Sequence, residues 1–511
     1  MKNSYWILSS EEKKSYEDLN SDISTDYLIV GGGIAGLTTA YLLAKENKEV
    51  TIVEADEIGF GASGRNTGKV TSQHGLIYST IEKEYSSEKA RLYYDANEEG
   101  LKLIESIIKD NNIDCNFKIV PSFVYTEEEK YIKDIKKEYE ICKELNIPCE
   151  YMNSIEGIPL SIKGALCFKN QGQFNPKRYV DALGKINKKM GVKIYENTPV
   201  VDVDIDDECL LKCGNNNVIR AKNLILASCN AWYDGLKLFF AKEEASRSYL
   251  LCGELKNKIS QGNYISVEMP TRTFRTCKDD KGRELLIAGG HDHKTGKCNN
   301  ECDNFKAIED FAKGKFNLKD KDIIADWSTQ DYVSLDNIPY IGRINNEKNN
   351  VYIITGTSKW GLSNSSVGAI LIKDLITKNH SKYEELYNPS RLKSYLNVKF
   401  LETNVEVAFD YIKGKFISGS SELPGKDEGK AVSINGKRYG AYRDKNGNLF
   451  ILDITCTHLG CELRFNSGEK TWDCPCHGSR FSYKGEIING PALRPLKTYD
   501  KGKNKIDPKI L

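Results

Sequence analysis

Residues 26–54 read DYLIVGGGIAGLTTAYLLAKENKEVTIVE, and no other stretch of the chain narrows its fold so far. A short apolar run enters G-x-G-x-x-G at Gly31, Gly33 and Gly36. A helical segment follows, and a second apolar run ends on Glu54. The spacing predicts a strand, a tight turn, a helix and a parallel strand. Gly31 permits the turn, Gly33 lets the backbone approach a pyrophosphate, and Gly36 lets the helix pack closely, with its N-terminus facing the phosphates. Glu54 is placed for the adenosine ribose hydroxyls. In this setting the fingerprint predicts a bound dinucleotide. It occurs once, whereas reductases fed by NAD(P)H need two nucleotide sites, which favours FAD. Strand–helix alternation continues through KYIKDIKKEYEICKELN, RYVDALGKINKKMGVKIYE, NLILAS, NVYIITG and SSVGAILIKDLITKN.

The second informative stretch lies near the other end. CTHLGC (456–461) and CPCHGSRF (474–481) contain four of the fifteen cysteines and two of the six histidines. Cys456 and His458 form one loop and Cys474 and His477 a second, each offering one thiolate and one imidazole. Tetrahedral zinc accepts two cysteines and two histidines. Zinc fingers, however, group their cysteines together and place the histidines on a helix. One Cys and one His per loop, in a glycine-rich β setting, suits a [2Fe–2S] cluster with cysteines on one iron and histidines on the other. Upstream, ETNVEVAFDYIKGKF reads as a helix and ISGSSELPGKDEGK as a linker, and KAVSING, KRYGAYRDKNGN and LFILDI read as short strands. The eleven other cysteines are scattered like reduced cytosolic thiols.

Charge excludes some partners. With 73 basic and 72 acidic side chains there is no field to attract nucleic acid or anionic membrane. The N-terminus shows no apolar signal region, and no run approaches the ~20 apolar residues of a membrane helix. A soluble, cytoplasmic protein without a transmembrane segment is expected.

CTHLGC…CPCHGS resembles the Rieske proteins of the cytochrome bc type, over roughly the last 85 residues. The resemblance implies a [2Fe–2S] cluster on Cys456, Cys474, His458 and His477. It also implies a Cys461–Cys476 disulfide tying the loops, a Ser479 hydroxyl on cluster sulfur, and GPALRP (490–495) as a covering segment. A ring-hydroxylating oxygenase would need a mononuclear iron on two histidines and a carboxylate. His74, His291, His293 and His380 offer no such spacing.

Around the fingerprint, GFGASGRNTGKVT (59–71, with Ser63 and Arg65) is a glycine-rich loop suited to lie against a flavin. NLILASCNAW (223–232), DWSTQDYVSLDNIPYIGRI (326–344) and NVYIITGTSKWGLSNSSVGAILIKDLI (350–376, with Gly356 and Gly361) complete the pattern. Together these resemble the D-amino-acid oxidase superfamily of FAD-dependent oxidoreductases, across roughly residues 25–385. The layout is similar to bacterial flavoproteins with a Rieske domain fused at the C-terminus. The fold class implied is an α/β, Rossmann-like FAD-binding domain with an inserted α+β substrate domain, plus a small all-β Rieske domain. The expected boundaries are 1–395 for the flavoprotein part, with the substrate domain at about 85–160 and 236–325, then 396–424 for a helical linker and 425–511 for the Rieske domain.

Two departures bear on chemistry, and three further candidates stand beside them. Where amino-acid oxidases of the superfamily carry an Arg-Pro pair for the substrate carboxylate, this chain has Asp331 and Tyr332, which suits an amine better than an amino acid. A structural salt bridge is the alternative reading of Asp331. Arg275 is a candidate anion binder from the substrate domain. Arg65 stands where some members attach FAD through histidine, so non-covalent FAD is expected. Lys359 is a candidate to balance negative charge on reduced flavin, with a solvent-facing lysine as the alternative. HDHKTGKCNNEC (291–302) has plausible metal spacing at His291, His293, Cys298 and Cys302, but reads as a polar loop. The function expected is oxidation of a small, amine-type substrate by FAD, with electrons leaving through the cluster to an unknown one-electron acceptor. A redox sensor or carrier, or flow from cluster to flavin, is the alternative.

Overall fold

In the computed structural model, which describes residues 2–10, 16–233, 238–344, 350–391, 398–416, 420 and 422–499, the fingerprint's apolar run is the central strand of a large sheet. Ile23–Val30 pairs in parallel with Val50–Val53 on one side and with Val218–Cys229 on the other. Lys193–Tyr195 extends the first flank. Val351–Thr355 and the antiparallel Tyr340–Arg343 extend the second. Strands covered on both faces carry no polar alternation, and Val50–Val53 and Val351–Thr355 are buried at every position. Ile29, Ile52, Ile225 and Ile354 pack under the helices Ile34–Lys45, Pro176–Lys189 and Gly361–Lys378. Their neighbours Leu28, Val53, Leu224 and Ile353 point to the opposite face, against the Val200–Ile205 and Cys209–Cys213 hairpin.

A nine-stranded sheet forms the second layer, beginning Ile323–Ser334, Glu243–Glu254, Glu284–Lys294, Arg272–Lys278. It reaches beyond segments 85–160 and 236–325, because Gly164–Gln173 pairs with both Lys118–Thr126 and Lys69–Val70, and because the edge strand continues to Ser334. Of the expected linker 396–424, residues 398–416 form a helix, while 396–397, 417–419 and 421 lie outside the described residues.

Two small antiparallel sheets follow. Glu428–Ile434, Lys437–Arg443 and Leu449–Leu452 form one. Its first hairpin turns at Asn435-Gly436, both with positive φ, the two-residue turn whose twist matches paired strands. Arg464–Asn466, Thr471–Asp473, Arg480–Ser482 and Ile487–Asn489 form the other. Among the described residues, no helix is long and apolar enough to cross a membrane.

This β unit is fastened to the nine-stranded sheet by buried charge. Glu469 accepts from Arg247 of the Glu243–Glu254 strand and from Arg480 at 2.8 Å, and Arg480 also bonds Asp473 at 3.0 Å. The side chains of Arg247, Glu469 and Arg480 are at most 1% exposed. Burial alone would raise the Glu469 carboxyl. The two guanidiniums more than offset it and hold the group at about 2. The stabilisation is therefore complete above the ordinary carboxylate range and is lost as pH falls towards 2. Removing one partner strands buried charge, so Glu469→Ala should cost about 3–5 kcal/mol near neutral pH. Denaturant unfolding measures this, and a loss below about 1 kcal/mol would show that the ion cluster is not what fastens the unit.

Candidate functional site

The nucleotide end is a cradle in which side chains have no room. A Cβ on Gly36 would lie 2.0 Å from the Gly31 carbonyl oxygen. One on Gly31, at φ +117°, would lie 2.5 Å from that of Ala227. The helix Ile34–Lys45 therefore begins flush against the strand end, with Gly33 as its cap. The Ser63 hydroxyl accepts from the Ile34 amide at 3.0 Å, which puts the 59–71 loop over the helix N-terminus. Glu54 accepts from the amides of Gly32 (2.7 Å) and Asp56 (3.1 Å), which fixes its carboxylate beside the turn. Burial raises that carboxyl, and the amide bonds oppose the rise. A glycine cradle, a helix N-terminus and an anchored acid fit an FAD pyrophosphate and ribose.

Arg65 is buried over the Phe60 ring at 4.4 Å, and its Nε and Nη1 have no partner. Burial lowers its guanidinium to about 10, while Glu469 pulls it back up. The N-terminal segment holds this loop down in a way no spacing in the sequence announced. Ser4 Oγ bonds the Gly64 carbonyl at 2.6 Å and Trp6 Nε1 that of Asn66 at 2.7 Å.

The turn that follows Val351–Thr355 closes the other side. Gly356 has φ +65°, and Ser358 and Lys359 share the left-handed region. The helix Gly361–Lys378 then starts with its N-terminus in the site. His74 braces it, stacking on Trp360 at 4.6 Å and bonding Ser363 Oγ at 3.0 Å and Tyr93 at 2.7 Å. Asp331 is half-buried and its Oδ1 accepts from the Tyr332 amide at 2.8 Å and from Thr357 Oγ1 at 3.2 Å. Exclusion of water raises its carboxyl to about 6, against these bonds and the charge of Lys359. Lys359 itself pairs with Asp292 at 2.5 Å. Arg275 stands apart. Its guanidinium is bound by the carbonyls of Thr67 and Phe174 and lies over Trp6, lining a 250 Å³ pocket with Tyr5 and Arg178. Asp331, Thr357 and Lys359 thus converge, and Arg275 does not join them.

Glu243 was not legible as a site residue. It is fully enclosed, bonds Thr355 Oγ1 at 3.1 Å, and lies 2.9 Å from where a Gly356 Cβ would be. Burial pushes its carboxyl up to about 8, against Thr355 and Lys242.

The two candidate cluster loops are built alike. In each, the glycine amide bonds back to the cysteine carbonyl, Gly460 to Cys456 at 2.9 Å and Gly478 to Cys474 at 3.1 Å. Both glycines have positive φ, +81° and +78°, which closes the turn around the sulfur. Cys461 and Cys476 form a disulfide with Cα atoms 6.6 Å apart, joining one loop to the other. Cys456 and Cys474 remain as thiols, buried and in contact with each other. Sulfur contact with Cys474 lowers the Cys456 thiol to about 7 against burial, helped by the His458 amide and the Ser479 hydroxyl. The histidine rings lie 5.1 Å apart, and Nδ1 of His477 is buried without a partner. Burial lowers that imidazole to about 3, keeping it in the neutral form a metal requires. Two thiols, a neutral imidazole with an unused nitrogen and a second imidazole beside it fit the iron–sulfur group. The sulfurs of Cys461, Cys474 and Cys476 also lie within 4.8 Å of one another, but the disulfide removes two of them as ligands.

The 291–302 loop does not gather a metal site. His291 bonds Asn304 at 2.7 Å, His293 bonds Tyr249 at 2.9 Å, and Cys302 faces Ser467.

Comparison with known proteins agrees with this geometry. The FAD dependent oxidoreductase family model matches residues 26–375, and the Rieske [2Fe-2S] domain model matches residues 415–500. A Bacillus subtilis (strain 168) protein described as a Rieske 2Fe-2S iron-sulfur protein, YhfW, is 37% identical over 97% of both chains. Gamma-glutamylputrescine oxidoreductase of Escherichia coli (strain K12) is 25% identical, over 75% of this chain and 91% of its own. Among solved structures, L-proline dehydrogenase of P. horikoshii aligns with a TM-score of 0.61 and 21% identity, covering 73% of this chain and 99% of its own.

Two outcomes follow from the site. Cys461→Ser should leave the four candidate ligands in place yet make the iron–sulfur absorbance decay faster in air. An unchanged decay would mean the disulfide does not protect the group. Glu243 keeps a proton in the folded chain that the unfolded chain releases above about 4.5, so it lowers stability progressively as pH rises from about 4.5 to 8. Glu243→Gln should therefore melt increasingly above wild type as pH rises through that window. A difference independent of pH would contradict the buried, protonated acid.

Proposed function

The chain belongs to the FAD dependent oxidoreductase family and carries a Rieske [2Fe-2S] domain, with FAD and a [2Fe–2S] cluster as its cofactors, and from that premise we propose that it oxidises a small, amine-type substrate and delivers the electrons to a one-electron acceptor. When bound, FAD supplies a two-electron acceptor and the cluster a one-electron carrier, so together they convert pairs to single electrons.

The observation that carries the amine assignment is Asp331. Its carboxylate stands on the Ile323–Ser334 strand beside the turn that closes the flavin end, bonded to Thr357. A substrate carboxylate would be repelled there, and an ammonium would be attracted. The name of the Escherichia coli relative, gamma-glutamylputrescine oxidoreductase, also points to an amine. Lys359, paired with Asp292, leaves the site's cation-binding character to Asp331. The N-terminus of Gly361–Lys378 supplies partial positive charge where the flavin gains negative charge, a role proposed for this helix in place of a free lysine. Asp331 holds or releases its own proton near pH 6, so an ammonium should bind more tightly as pH rises through about 6.

Anaerobic mixing with a panel of amines and amino acids tests the reading. Amines should bleach the flavin band, and plain amino acids should bleach it far more slowly. Asp331→Asn should weaken amine binding by about 10–100-fold and abolish its rise through pH 6. Bleaching by amino acids alone, or full retention of amine binding in the variant, would overturn the assignment. His477→Ala should leave bleaching by substrate intact while turnover with a one-electron acceptor collapses. Equal turnover in that variant would remove the cluster from the route.

A further inference from the structure

Side chains on a strand point alternately to its two faces, and Ile323–Ser334 uses both. Asp331 lies on the flavin side, bonded to Thr357. Its neighbours turn the other way. Gln330 Nε2 donates to the Gly478 carbonyl at 2.8 Å, and Tyr332 Oη donates to the Gly490 carbonyl at 2.7 Å. Gly478 follows the ligand His477, and Gly490 opens the covering segment. The strand's own backbone joins the flavin-side turn, since the Ser358 amide bonds the Tyr332 carbonyl at 3.0 Å. One strand therefore touches both cofactor sites.

A second connection runs beside it. The ring of Phe240, in the short helix Phe239–Lys242, meets the His477 ring edge-on at 5.1 Å and the His458 ring at 5.8 Å. Three residues later Glu243 reaches Thr355 and Gly356 of the flavin-side turn. The surrounding contact is backbone-tight. A Cβ on Gly478 would lie 2.1 Å from the Ala245 Cβ, and one on Gly296 would lie 2.7 Å from the Pro475 nitrogen. Arg247 and Glu469 fasten the same interface.

We propose that the histidine edge of the iron–sulfur site is a closed internal port, docked on Phe240 and the Ile323–Ser334 strand, through which electrons cross between the two cofactor sites of one chain without movement of the C-terminal domain. Phe240 is its positioning residue. The electron crossing rests on the reading under Proposed function; the docked face rests on the contacts alone. Two consequences separate it from a swinging domain. The His477 ring is shielded from solvent, and transfer is first order and insensitive to viscosity.

The test uses the full holoprotein. Diethyl pyrocarbonate labelling, mapped by mass spectrometry, should modify His380, whose side chain is 78% exposed, and spare His477. Phe240→Ala should expose His477 to labelling, and so should Gln330→Ala/Tyr332→Phe, which leaves every residue of the cluster unit unchanged. Labelling of wild-type His477 as fast as His380, or no gain in either variant, overturns the docked face. In the second arm, flavin is photoreduced by light and EDTA, with no substrate, and cluster absorbance is followed. The rate should not depend on protein concentration or added glycerol, and Phe240→Ala should slow it by about 10–100-fold with the cluster's potential and EPR spectrum unchanged. A rate falling in proportion to viscosity, or rising with concentration, overturns the fixed port. If His477 is protected as expected but no electrons cross, the failure falls on the electron-flow reading and not on the docked face.

Discussion

The structure depends on a strand whose two faces both carry function. In Ile323–Ser334 the period-two alternation of side chains becomes a partition of tasks. Asp331 belongs to the flavin side, and Gln330 and Tyr332 belong to the iron–sulfur side. A one-residue slip in register would exchange them. Ten paired positions along Glu243–Glu254 hold that register, from Glu243 opposite Ser334 to Cys252 opposite Ala325, before a bulge shifts Gly253 onto Ile323. The neighbouring strand carries Glu243 to the flavin-side turn and Arg247 to Glu469. Two cofactor sites built far apart in sequence are thereby set at fixed positions by one pair of strands.

Charge burial serves the same end. Fully enclosed Arg247, Glu469 and Arg480 would be costly in isolation, and such a cluster rarely adds much stability over an apolar contact of equal volume. Its geometry is directional, however. It holds the small β unit in one orientation, whereas an apolar face would tolerate sliding. Close approach at Gly478 and Gly296 adds a steric lock, because no side chain fits at either.

Much of this was legible in the sequence wherever chemistry demands fixed spacing. Gly31, Gly33, Gly36 and Glu54 announced a dinucleotide cradle, since each answers a local steric or hydrogen-bonding need. Cys456, His458, Cys474 and His477 announced a metal centre, since ligands must converge from two short loops. Residues that act between distant segments carried no such signal. Phe240 and Glu243 look like ordinary members of FFAKEE, and only pairing of their strand with Ile323–Ser334 reveals what they touch. Arg247 and Glu469 are 222 residues apart. The surroundings of Arg275 were hidden for the same reason. A strand residue faces one side or the other according to register, and here register turns it to the Thr67 and Phe174 carbonyls. Lys359 was legible as a neighbour of the flavin turn, but its pairing with Asp292 depends on how two sheets meet.

In the docked arrangement proposed above, flavin and cluster keep one fixed separation within a single chain. Pulsed EPR on the holoprotein, poised so that flavin and cluster each carry an unpaired electron, measures that separation directly. A single narrow distance, unchanged by dilution and by glycerol, is the predicted result. A broad or bimodal distribution, or one that shifts with solvent, would contradict the account.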